Sequence, residues 1–76
     1  MIPNDALINA LNGLNFSFKR QADRVMMYKK NGATDRVSVR RVTLHDDDYV
    51  RILLKQAGMS PEDIERFIAA YHCDKH

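Results

Sequence analysis

The chain has 76 residues, 45% of them hydrophobic and 29% charged, with a formal net charge of +2. That size and mix describe one small globular domain, residues 1–76, and exclude a disordered tail. No apolar run approaches the roughly 20 residues that cross a bilayer, and the opening "MIPNDALINALN" does not read as a secretory leader.

A single cysteine, Cys73, cannot close an intrachain disulfide. That fits a reducing cytoplasm, the expected location.

The first predicted element is a short helix. Asn4 is the expected N-cap, Asp5 complements the helix dipole, and Leu7, Leu11 and Leu14 recur at helical spacing. Gly13 is the expected stop. Residues 15–21, "NFSFKRQ", alternate as a half-buried strand, with Phe16 and Phe18 on one face and Ser17 and Lys19 on the other. A second strand, "RVMMYKK", leads to Asn31-Gly32, a strong hairpin signal. A third, "RVSVRR", turns Val37 and Val39 to one side. After Arg41 the apolar parity flips to Val42 and Leu44, so the strand ends or bulges there.

"TLHDDDYVRILLKQAG" opens a helix with an apolar stripe of Val50, Leu53, Leu54 and Ala57. Its three aspartates sit where acids cap a helix and favour the positive end of its dipole, which accounts for them better than a metal site. Gly58 ends the helix. Ser60-Pro61-Glu62-Asp63 starts another, with Ile64, Phe67, Ile68 and Tyr71 as its buried set. Residues 73–76 are expected to fray.

The order is α-β-β-β-α-α. The expected architecture is α+β, a three-stranded antiparallel sheet with helices packed on one face.

The charge is unevenly placed. Between residues 19 and 41, Lys19, Arg20, Arg24, Lys29, Lys30, Arg36, Arg40 and Arg41 oppose only Asp23 and Asp35, a net +6. The remainder of the chain from residue 44 is acidic. Adjacent basic strands with Tyr28 among them suit a phosphate backbone, and arginine adds bidentate contacts. Lysine and arginine on strand edges also block aggregation, which is the plainer account of the same residues.

No phosphate-binding glycine loop and no closed set of metal ligands occurs, so no cofactor or metal is expected. His72, Cys73 and His76 cluster near the end but make three donors where a structural site needs four. His45 stands beside the aspartate run, whose charges would raise its pKa; it is the one catalytic candidate, as a general acid or base.

The order and several segments resemble the HicA (YcfA-like) family, small ribonuclease toxins of bacterial toxin–antitoxin pairs with a fold similar to the double-stranded-RNA-binding domain. The resemblance covers roughly residues 5–70 and rests on "FSFKRQ", "DRVSV" and "RILLKQAGMSPEDIERFI". It implies RNA as ligand and an antitoxin-like protein as possible partner. In that family a Gly-Ser-His between the first two strands carries the catalytic histidine. Here the motif falls on Asp23-Arg24-Val25, and valine transfers no proton.

The expectation is therefore an RNA-binding domain without ribonuclease activity. Lys19, Arg20 and Arg24 would contact phosphates, with Lys29, Lys30, Arg40 and Arg41 extending the patch. Two alternatives stand beside it: an mRNA-cleaving toxin that uses His45, and an interaction module for an acidic antitoxin-like protein.

Overall fold

The computed structural model describes residues 1–71. The elements run β1 (Ile2–Pro3), α1 (Asn4–Gly13), β2 (Phe16–Gln21), β3 (Val25–Lys30), β4 (Arg36–Arg40), β5 (Leu44–His45), α2 (Asp47–Gln56) and α3 (Pro61–Ala69). Strands β2, β3 and β4 form an antiparallel sheet in that order. The expected α+β architecture is present.

The alternation in β4 decides which face the helices cover. Val37 and Val39 are buried while Arg36, Ser38 and Arg40 are exposed. Register places Val37 beside Tyr28 and Val39 beside Met26. These inward residues join Leu7 and Leu11 of α1, Val50, Leu53 and Leu54 of α2, and Ile64 and Ile68 of α3 in one hydrophobic core. The opposite face of the sheet carries the polar residues and stays open.

Helix α2 ends as its sequence predicts. Gly58 takes φ +98°, and the N–H groups of Gly58 and Met59 return to the carbonyls of Lys55 and Leu54. This paired closure satisfies carbonyls that the helix end leaves free. Ser60 caps α3 by accepting from the Asp63 N–H at 3.2 Å. Arg51 joins the two helices through Glu65 at 2.8 Å and also bonds Asp48 at 2.9 Å. The hydrogen bond from Arg51 holds the Glu65 carboxyl below its ordinary range.

Several expectations are corrected. Asn4 is not the cap of α1 but its first residue, with Pro3 before it, and its side-chain oxygen is turned to His45. Helix α1 ends at Gly13 as expected, but Gly13 is not its left-handed residue. The left-handed residue is Asn15, at φ 73°, a conformation that the short polar side chain of asparagine tolerates.

A methyl group on Gly13 would meet no neighbour within 4 Å. Gly13→Ala is therefore expected to raise stability by about 0.5 kcal/mol, because alanine leaves the unfolded chain less entropy to lose. A chemical-denaturation midpoint unchanged or lowered by the substitution would contradict this.

Tyr71 is exposed and Phe67 only partly buried, so α3 contributes Ile64 and Ile68 to the core. A second, two-stranded sheet joins β1 to β5, pairing Ile2 with His45 and Pro3 with Leu44. Two-residue strands carry no periodic signal, and these partners are far apart in the chain. The tail 73–76 and the trio His72, Cys73 and His76 lie outside the described residues.

Candidate nucleic-acid interface

A bulge in β2 assembles the basic surface. Up to Phe18 the pairing with β3 is regular, Ser17 opposite Lys29 and Phe18 opposite Tyr28. The register then shifts, and Arg20 comes to lie opposite Met27. Strict alternation would send Arg20 to the same face as Phe16 and Phe18, away from the open face. The extra residue moves it to the open face.

There Lys19, Arg20, Lys29 and Arg36 line one groove of about 310 Å³ floored by Met27. Arg36 belongs to this set although sequence reasoning left it out of the candidate list. Its signal was available: a hairpin closing around Asn31-Gly32 puts Arg36 directly across from Lys29, as the register confirms.

The other cations separate into two places. Lys30 borders a shallow hollow at the edge of β2, beside Lys19, Lys29 and Asn31. Arg24, Arg40 and Arg41 surround a depression of about 590 Å³ at the far end of the sheet with Asp23 and Val42. Val25 lines this same depression. The seven candidates thus form two clusters at opposite ends of the strands.

Their electrostatic state differs from that of the acidic half. Arg51 and Arg66 are each held by carboxylates. No ion pair among the described residues engages Lys19, Arg20, Arg24, Lys29, Lys30, Arg36, Arg40 or Arg41. Unpaired cations on adjoining strands repel one another modestly and are partly relieved by any bound polyanion.

One of the eight has a second task. The Arg40 guanidinium lies 4.9 Å from the centre of the Tyr49 ring. The Tyr49 hydroxyl accepts from the Arg40 N–H at 3.2 Å and donates to the Ser38 carbonyl at 3.0 Å. A side chain of α2 thus takes the place of a neighbouring strand along the outer edge of β4. Such plugging answers the hazard of an open edge strand.

His45 is placed differently from a catalytic group. It is 2% exposed, and its Nε2 stands 2.8 Å from Asn4 Oδ1, so this nitrogen carries the proton. Its ring stacks on Tyr49 with centroids 5.4 Å apart. The aspartates are expected to raise its pKa; the reverse holds. Burial lowers it, and the nearby Arg40 charge lowers it further. Desolvation of the imidazolium outweighs neighbouring carboxylates, of which Asp48 is turned to Arg51. His45 is a neutral core residue that ties the small sheet to α1 and α2.

The fold and this surface define a small α+β domain whose sheet is covered on one face and offers free cations on the other. Comparison with family models, curated proteins and solved structures yields no match for the chain.

Proposed function

We propose that this chain is an RNA-binding domain of HicA-like build that grips phosphates through its open sheet face and does not cleave what it binds. The observation that carries the reading is the groove of Lys19, Arg20, Lys29 and Arg36, which has no carboxylate in its lining and no ion pair to any of its cations. Arg24, Arg40 and Arg41 provide a second grip at the far end. Cations left free in the folded state release the counterions of a phosphate backbone on contact, and this drives sequence-independent binding.

Two features support binding rather than cleavage. Val25 stands at the position aligned with the family's histidine, and His45, the sole histidine among the described residues, is buried and neutral.

The test is the salt dependence of RNA affinity. The logarithm of the association constant should fall steeply and linearly with the logarithm of salt concentration. The double variant Lys29→Ala/Arg36→Ala should flatten that slope by about 1.4, at roughly 0.7 per lost phosphate contact on a single strand. A flat dependence in the unmodified chain removes the reading. An acidic partner protein would occupy the same cations, and its co-purification in place of RNA would favour the interaction-module alternative.

A further inference from the structure

Phe18 and Phe16 point to the same face of β2, two residues apart. Phe16 is 1% exposed, whereas Phe18 is 53% exposed. Only the beginning of the strand lies beneath the helices, and the Phe18 ring is left at the open rim. It is not loose there. Tyr28, directly across the ladder and buried, meets it edge to face with ring centroids 5.8 Å apart and planes at 74°. One side of an aromatic ring is thereby fixed to the core while the rest faces solvent.

The surroundings of that ring are cationic. Lys19, Lys29 and Lys30 border the same hollow of about 260 Å³, with Ser17 and Asn31 on its rim. Ser17 donates to the Asn31 side-chain oxygen, and the Asn31 amide donates to Asn15. The rim is therefore held in place before any ligand arrives. No carboxylate lines the hollow. Lys19 and Lys29 are shared with the neighbouring groove on the open face, so the two depressions adjoin.

We infer that the Phe18 hollow binds an unstacked base of a single-stranded nucleic acid, with the ring against the base and Lys19, Lys29 and Lys30 on the flanking phosphates. The inference rests on the RNA-binding reading above and deepens it by naming the state of the strand. An exposed aromatic ring among cations provides both components of single-strand binding, a surface for stacking and charge for the backbone. A duplex has no use for the ring, since its bases are stacked on one another and present only their edges. From the Phe18 ring the strand would round the edge of β2, past Lys19 and Lys29, to reach the open-face groove that Arg20 and Arg36 complete.

The experiment compares a short oligouridine RNA, an abasic oligonucleotide of equal length and an RNA duplex, each by fluorescence anisotropy across a salt series. The unmodified chain should bind oligouridine more tightly than the duplex. Phe18→Ala should weaken oligouridine binding by about 10-fold, the loss of one stacked base. It should leave affinity for the abasic strand and the salt slope unchanged, because the lysines remain. Phe18→Leu should behave like the alanine variant and Phe18→Trp like the parent, which separates stacking from bulk. Phe18 is exposed, so all three variants should keep the parent's far-ultraviolet circular dichroism spectrum.

Steep salt dependence with oligouridine affinity indifferent to Phe18, or tighter binding of the duplex, overturns this inference and leaves the basic-surface reading standing. No binding of either RNA by the unmodified chain overturns both.

Discussion

Phe16→Ala is expected to lower stability by about 3–5 kcal/mol, whereas Phe18→Ala should lower it by only about 1 kcal/mol. The two residues have the same type, share a strand and face the same side, so sequence treats them alike. Phe16 is enclosed by the core that α1 brings down on the start of β2. Removing its ring forfeits the transfer free energy of a large apolar group and leaves a cavity that close packing fills only in part. Phe18 forfeits mainly an edge-to-face contact with Tyr28.

A domain of this size has a total stability of about 4–11 kcal/mol, so the first substitution removes a large share of it. Denaturant titration of both variants checks the claim. Equal midpoints would show that Phe18 is covered in solution, and the stacking proposal would lose its exposed ring.

Acid should weaken the fold through His45, and the direction follows from its burial. In the folded chain the imidazole is held below the ordinary value of 6.5, first by desolvation and then by Arg40. As pH falls, the unfolded chain takes up this proton first. The contribution of neutral His45 is therefore complete above about pH 6.5 and is lost progressively as pH drops toward the folded-state pKa, at no more than about 1.4 kcal/mol per pH unit.

The groups that face His45 explain why nothing rescues the charged form. Asn4 offers one oxygen, Tyr49 offers the face of a ring, and Arg40 carries a like charge. His45→Gln keeps a donor for Asn4 and removes the titration. Unfolding free energies measured at pH 7.5 and 5.5 should differ more in the parent than in this variant. An equal difference in both would assign the acid sensitivity to other groups.

These two expectations rest on placements that differ in how far they could be read in advance. The helix stripes and stops around Val50, Leu53, Leu54, Gly58 and Ser60 are legible because they are local. A 3.6-residue repeat, a residue with positive φ and a hydroxyl three positions before an N–H act within one or two turns of the chain. The basic segment is legible as composition. The convergence of its members is not.

Arg36 joins Lys29 through the hairpin register, and Arg20 joins them through one extra residue in β2. Asn4, read as a cap, is drawn instead to His45, a partner from the other half of the chain. Tyr49, unremarkable in a helix sequence, becomes the plug of a sheet edge.

The sequence by itself determined the class of this protein: α+β order, helix boundaries at α2 and α3, and a cationic middle before an acidic end. Those properties follow from short-range sterics, capping and charge, which need no distant partner. Tertiary structure alone decided which cations share a groove, which of two phenylalanines is buried and whether a histidine can be charged. Each of those depends on a bulge, a helix edge or a long-range pairing, and moving any of them by one residue turns a side chain from core to solvent.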